Sequence, residues 1–322
     1  MPDVIGLGEA IIDFISLDNL SLCDGNSFLK SFGGAPMNTI VGVARLGVAA
    51  GAITAVGNDP FGEYIIKVLR ENLVDTSRVI VKRGVRTPLA FITVEPRSGE
   101  RSFLFYRNPN IGPTADTCLT INDIDFSYLR GAKVLHVSGF SLSHNPTRET
   151  VFKIVEFAKE HETKIFLDPT LRIEVWDSEN EAKSTIFAAL KKADIAAFSL
   201  EEAEFFFKTT DPEKAATLAL DFGLEIACIK LGSKGSFLKK SDGIKVFEPA
   251  FKVKAVDTTG AGDGWNAGFI VGMLKNFGSR ECLIIANAVG ALVTTKYGAI
   301  TALPFRDELN RFLENNGVSL RI

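Results

Sequence analysis

Between Ala132 and Leu231 short apolar runs and amphipathic stretches take turns, and that rhythm narrows the fold more than any other feature of the chain. Residues 134–137, 164–167, 195–198 and 225–231 have the length and apolar character of buried strands. Stretches 148–161, 179–192, 201–207 and 212–222 between and beside them carry helix spacing. Strands joined through helices pair in parallel, and a parallel sheet needs helices over both faces. In such sheets ligands bind beyond the carboxyl ends of the strands. Three polar clusters fall there: Asp168-Pro169-Thr170-Leu171-Arg172, Ser199-Leu200-Glu201-Glu202 and Lys230-Leu231-Gly232-Ser233-Lys234-Gly235.

Composition removes several other possibilities. With 36 basic and 39 acidic residues in 322, the net charge is −3, so no broad basic field would draw the chain to nucleic acid. Cys23, Cys118, Cys228 and Cys282 form no close pair, and His136, His144 and His161 lack metal-ligand spacing, which argues against a disulfide scaffold and a zinc site. The start of the chain has an acid at Asp3 and no basic segment before an apolar one, so no secretory signal is expected. The longest apolar stretch, 282–293, contains Asn287 and is too short to span a bilayer. The expectation is a cytoplasmic protein with no membrane partner.

Gly6 and Gly8 follow an apolar run at 4–7, yet Ile11 stands where a dinucleotide fingerprint needs a third small residue, and a strand-like run continues through 11–16. Asp13 interrupts that run and either faces water or meets a hydroxylated ligand. Gly33 and Gly34 then lead through Pro36 into a helical pattern that stops at Gly47, with Asn38 in its first turn as a cap or as a ligand group. A strand at 49–56 and a helix at 61–72 come next. Residues 89–95 and 101–107 read as a hairpin turning at 96–100, with Gly99 in the turn. A β-only insertion of this kind in an α/β chain suits a cover over a site, with Phe103 and Phe105 as apolar surface or simple packing, and Tyr106 and Arg107 as polar tips.

Near the end, Asp257-Thr258-Thr259-Gly260-Ala261-Gly262-Asp263 sits between a β-like run at 251–256 and an apolar helix at 270–274. Glycines where a strand gives way to a helix let an anion approach the helix's opening N–H groups. Asp263 inside that nest would repel a phosphate, so it either caps the helix or takes a proton from a hydroxyl attacking phosphorus. No P-loop pattern occurs anywhere in the chain.

Asp257 to Asp263 resembles the C-terminal signature of the ribokinase-like (PfkB) carbohydrate kinases, and the run from Gly33 to Gly47 resembles their N-terminal one. The resemblance extends from Gly6 to Pro304. It implies one domain over 1–322, a three-layer α/β/α sandwich whose mostly parallel sheet is joined by a small β lid of about 10–34 and 86–110. It implies ATP-dependent phosphorylation of a sugar's primary hydroxyl, with Asp263 as base beside Gly260, Ala261 and Gly262. Asp13, Gly33, Gly34 and Asn38 would hold sugar hydroxyls, helped by Tyr106, Arg107 and Arg172. Lys230, Gly232, Ser233 and Gly235 would meet the nucleotide phosphates, and Asn287 would line the adenine pocket. Glu202 would organise Mg²⁺ through water, and Asp257 and Thr259, with carbonyls from 293–298, a monovalent cation such as K⁺. Ser199 and Thr170 depart from the family pattern, which has Asn at both positions, and that bears on the Mg²⁺ shell. Lid edges imply a homodimer. Segments 103–109, 33–38 and 298–304 most resemble the fructokinase branch, hence D-fructose phosphorylated at its 6-hydroxyl. 2-Keto-3-deoxygluconate is the rival substrate, because Arg107 could pair with its carboxylate. An oxidoreductase and a catalytically silent sugar-binding regulator are the readings from other classes.

Overall fold

A strand buried on both faces opens the chain: β1 (Val4–Leu7) shows none of its four residues to water, as the interior of a parallel sheet requires. Two strands of a separate sheet follow, β2 (Ile11–Ser16) and β3 (Phe28–Gly33), antiparallel to each other. Helix α1 (Ala35–Arg45) starts with Pro36 in its first turn, where the missing N–H costs nothing. Next come β4 (Ala50–Gly57), then α2 (Pro60–Glu71), capped by the Asp59 carboxylate on the N–H groups of Phe61 and Gly62, and β5 (Asp75–Lys82). The small sheet is completed by β6 (Leu89–Val94) and β7 (Arg101–Tyr106). The computed structural model describes residues 1–18, 20–94, 101–109 and 111–322, so the turn expected at 96–100 lies outside the described residues.

The expected alternation then unfolds as β8 (Val134–Ser138), α3 (Thr147–Glu160), β9 (Lys164–Asp168), α4 (Glu179–Leu190), β10 (Ile195–Ser199), α5 (Leu200–Phe207), α6 (Pro212–Leu220) and β11 (Ile226–Lys230). An antiparallel hairpin, β12 (Ser236–Lys240) and β13 (Lys245–Glu248), precedes α7 (Ala261–Leu274), α8 (Ser279–Val293) and α9 (Arg306–Asn315).

Among the described residues the large sheet has nine strands in the order β13-β12-β11-β10-β9-β8-β1-β4-β5, parallel except for the hairpin at one edge. Side chains alternate between its faces. Ile5, Leu7, Leu135 and Val137 pack with α3 to α6 on one side, whereas Val4, Val134 and Phe166 pack with α1, α2, α7, α8 and α9 on the other. The small sheet has the order β3-β2-β6-β7, with β2 and β6 parallel. Helices α7 and α8 touch almost backbone to backbone: a Cβ on Gly268 would lie 2.8 Å from Ala286 Cα.

Two local expectations are corrected. Residues 251–256 are not a strand, although Phe251 and Val253 alternate with lysines, because among the described residues no strand pairs with them. The Val256 N–H bonds instead to the Thr294 carbonyl at 2.7 Å, after α8. The helix beyond begins at Ala261 and not at residue 270, so the whole glycine string lies at its mouth. Strands β3, β5, β12 and β13 lie beyond the expected elements, as does helix α9, although its Leu309, Phe312 and Leu313 stand at helix spacing.

Arg107 is also relocated. It is fully buried and not at a lid tip. Its Nε donates to Asp116 Oδ2 at 2.6 Å, Nη1 to Ser143 Oγ at 2.8 Å, and its guanidinium lies 4.3 Å over the Phe140 ring. The charge pins the end of β7 to the main body of the protein. Arg107→Ala should therefore destabilise the fold by about 3–5 kcal/mol, because Asp116 would stay buried without its cation. A urea midpoint measures this; unchanged stability combined with a raised sugar KM would return Arg107 to ligand binding.

Candidate active site

A cavity of about 600 Å³ opens at the carboxyl ends of β9, β10 and β11, between the mouth of α7 and the small sheet. One wall is the start of α7. Gly260 takes the left-handed conformation, φ 77°, and a Cβ there would lie 2.6 Å from the Cβ of Ala299, so only glycine fits. The Ala261 N–H donates to the Thr258 carbonyl at 3.2 Å. Ala261 is thereby engaged, and the N–H groups of Gly262 and Asp263, at the second and third helical positions, are left without an intrahelical partner.

Asp263 stands in the same first turn. Its Oδ2 accepts a hydrogen bond from Asn38 Nδ2 at 2.8 Å, and its carbonyl accepts one from Thr39 Oγ1 at 3.3 Å. Two glycine turns more than two hundred residues apart are thereby joined. Burial and the nearby Asp168 charge raise the Asp263 carboxyl to about 6, against the opposing pull of Asn38, Lys230 and Arg172.

Facing the nest, Lys230 Nζ bonds Asp168 Oδ2 at 2.6 Å and lies 3.4 Å from where a Gly262 Cβ would be. Asp168 Oδ2 also accepts from Asn266 Nδ2 at 2.6 Å, and its Oδ1 accepts from Thr170 N at 2.8 Å and Thr170 Oγ1 at 3.0 Å. Burial would raise this acid, but Lys230 and Asn266 outweigh it and bring it down to about 2. Asp168 is thus a fixed anion that holds Lys230 against the mouth of the helix. Arg172 lines the cavity too, its guanidinium 4.9 Å over the Phe103 ring.

The remaining expected site residues divide. Asp13, Gly34 and Asn38 line the cavity, and Gly33 supports Asp13, since a Cβ at Gly33 would fall 2.3 Å from Asp13 Oδ2. Gly232, Ser233 and Thr259 line it as well. Gly235 does not; it takes φ 113° in a turn where a Cβ would strike the Glu248 carbonyl at 2.1 Å. Tyr106 is not in the wall either. Along β7, Phe103 and Phe105 face the cavity, so Leu104 and Tyr106 face outward, 43% and 45% exposed.

Asn287 is not among the residues that line the cavity, and its side chain cross-links β12, α7 and the end of β13. Its Oδ1 accepts from Ser236 Oγ at 2.8 Å and Trp265 Nε1 at 2.9 Å, and its Nδ2 donates to the Glu248 and Pro249 carbonyls. Glu202 lines the cavity, and each of its oxygens accepts one backbone amide, from Leu171 at 2.8 Å and Ser199 at 2.7 Å. Ser199 Oγ in turn accepts the Glu202 N–H, so the departure from Asn serves as a helix cap. Asp257 ties Thr259 N and Oγ1 to one oxygen and Gly298 N to the other, at 2.9, 2.8 and 2.9 Å, outside the cavity lining.

Sequence reasoning passed over Glu9, Asn266 and Phe140, and quoted Asp168 without giving it a role. Of these only Asp168, at a strand end, carried a positional signal.

The geometry agrees with what known proteins show. The family model described as pfkB family carbohydrate kinase matches residues 1–306. Fructokinase-1 of Zea mays is 36% identical, covering 97% of each chain, and fructokinase-2 of Solanum lycopersicum is 35% identical over 95% of this chain and 94% of its own. Among solved structures, a fructokinase double mutant from Vibrio cholerae O395 with fructose, ADP and potassium ion bound superposes with a TM-score of 0.86 at 32% identity, covering 97% of this chain and 98% of its own. A putative ribokinase II from E. coli in complex with ATP and Mg²⁺ gives 0.88 at 28% identity, with 98% and 100% covered.

The nest yields a clean test at one of its two expected positions. Gly260→Val would strain the backbone and collide with Ala299, so it reports on folding. Gly262 is open apart from Lys230 Nζ, and Gly262→Val should keep a near-wild-type thermal melt while weakening ATP by about tenfold or more in calorimetry, because its side chain takes the anion's space. Unchanged ATP affinity would make the loop a mere turn.

Proposed function

This chain belongs to the pfkB family of carbohydrate kinases, and from that membership we propose that it transfers the γ-phosphate of ATP to the 6-hydroxyl of D-fructose. The observation that carries the proposal is Asp263: a carboxylate raised to about 6, fixed by Asn38, at the mouth of a helix faced by Lys230 and Arg172. Such a carboxylate takes the proton of the sugar hydroxyl as the oxygen bonds to the γ-phosphorus and the bond to ADP breaks. The Gly262 amide, Lys230 and Arg172 meet the negative charge on the phosphoryl oxygens.

Mg²⁺ arriving with ATP would neutralise the phosphates. Glu202 suits its water shell, since each oxygen spends one lone pair on an amide and keeps another. The nucleotide phosphates would lie along Lys230, Gly232 and Ser233. A monovalent cation beside the nest would draw on Thr259 and Asp257. The reading includes a homodimer paired through the outward face of the small sheet, where Leu104 and Tyr106 are exposed.

The cavity favours a neutral sugar over a keto acid. Its sugar end combines apolar Ile11, Ala90, Ile92, Phe105 and Phe140 with the acids Glu9 and Asp13. Arg107, the group that would have received a carboxylate, is spent on Asp116. A substrate carboxylate beside Asp13 would be repelled.

Asp263→Asn should keep the melting temperature and ATP binding yet lower kcat by at least about 10²-fold, since an amide cannot accept the proton. In the wild type kcat/KM should decline as pH falls through about 6, because the base works only when deprotonated. Near-normal turnover in a folded Asn variant removes Asp263 from the role. A coupled ADP-release assay over D-fructose, 2-keto-3-deoxygluconate, ribose and adenosine tests the substrate. Fructose should lead, and a keto acid ahead by tenfold in kcat/KM, about 1.4 kcal/mol, overturns that choice.

A further inference from the structure

One acid in the cavity wall takes no part in the chemistry above. Glu9, between β1 and β2, is 1% exposed, and its Oε1 accepts both the Ala35 N–H at 3.0 Å and the Ser138 hydroxyl at 3.2 Å. Oε2 is buried and has no hydrogen-bond partner among the described residues. The charged groups facing Glu9 are Arg107, at the end of β7, and Asp116, beyond it, and these are paired with each other. Asp13 on β2 and Asp263 on α7 line the same cavity and add only negative charge. A carboxylate out of water with no cation of its own is far more costly than a hydrogen-bonded acid.

We propose that Glu9 is a positioning residue that works as a neutral acid: it holds the first amide of α1 against the end of β8 and makes sugar binding require a proton at Glu9. The inference rests on the sugar-kinase reading. Its basis is the chain of contacts from Ser138 through Glu9 to Ala35, at the start of the helix whose Asn38 holds Asp263. With Oε1 accepting twice, the proton belongs on Oε2. Burial pushes the group up to about 8, so it keeps that proton at neutral pH. A sugar filling the cavity displaces the water beside this wall that screens a charge on Glu9, so ionisation costs more there than in the empty site. Sugar binding and loss of this proton therefore oppose each other, and affinity falls as pH rises through the Glu9 titration, by up to about tenfold per pH unit.

Calorimetry of D-fructose binding to the full chain, without nucleotide, from roughly pH 6.5 to 9.5 in buffers of two ionisation heats reads both affinity and protons taken up. The expected result is a Kd that rises on the alkaline side, with net proton uptake there. Glu9→Gln keeps an acceptor for Ala35 and Ser138 and cannot ionise, so its Kd should be flat across that range. Glu9→Leu, which loses the acceptor, should raise the sugar KM by about tenfold or more at unchanged ATP KM. A wild-type Kd flat in pH, or a Gln variant with the wild-type slope, overturns the proposal. Should the Gln variant not fold, the wild-type proton count decides alone. Absence of fructose binding counts against the substrate choice instead, and the titration is then run with the panel sugar that turns over fastest.

Discussion

A carboxylate has to stand at the positive end of a helix and still accept a proton. Helix α7 puts Asp263 in its first turn, where the dipole, Lys230 and Arg172 all favour the ionised and less basic form. Burial and the permanent anion at Asp168 work the other way, and the carboxyl settles at about 6. The site depends on that balance. Asp168 contributes twice, since the carboxylate that fixes Lys230 near the nest also supplies the negative charge that helps to raise the Asp263 carboxyl. Four hydrogen bonds on Asp168 keep it ionised.

Geometry this fine needs a rigid mounting. Along α7, added side chains at Gly264, Gly268 and Gly272 would meet Val293, Ala286 and Cys282 of α8 at 2.6, 2.8 and 3.1 Å. Bare backbone at every fourth position lets the two helices lock together, and few apolar surfaces in the molecule are as closely packed. Asp263 is thus carried on a braced pair of helices, and Asn38 reaches it from α1, which lies against α7 across Gly42 and Ala267.

How much of this could be read in the sequence depends on how local the signal was. Strand and helix alternation from β8 to β11 and the two glycine turns are local, and they located Asp13, Gly34, Asn38, Asp263 and Lys230 in one cavity. The bonds of Arg107 and Asn287 were not legible because their partners lie on other elements, Asp116 with Ser143 in one case and Ser236 with Trp265 in the other. For Tyr106 the strand itself was legible, and only the facing was missed: with a period of two, Phe103 and Phe105 inside place Tyr106 outside. Residues 251–256 show the converse, an alternating pattern that stays unpaired for lack of a neighbour. Glu9 and Asn266 leave no trace in the sequence at all, as a buried acid and a buried amide are recognisable only by what surrounds them.

The small sheet is assembled from two hairpin-like pairs entering from different parts of the chain, joined where β2 runs parallel to β6. The chain therefore enters and leaves it four times, before β2, after β3, before β6 and after β7, the last of these bolted by Arg107. A flap on one stalk has many open conformations, and each is entropy surrendered when it shuts. A plate tied at four corners has few, so under the proposed kinase reading little of a ligand's interaction energy would be consumed in ordering this wall of the cavity, and more would remain to hold the reacting atoms in line.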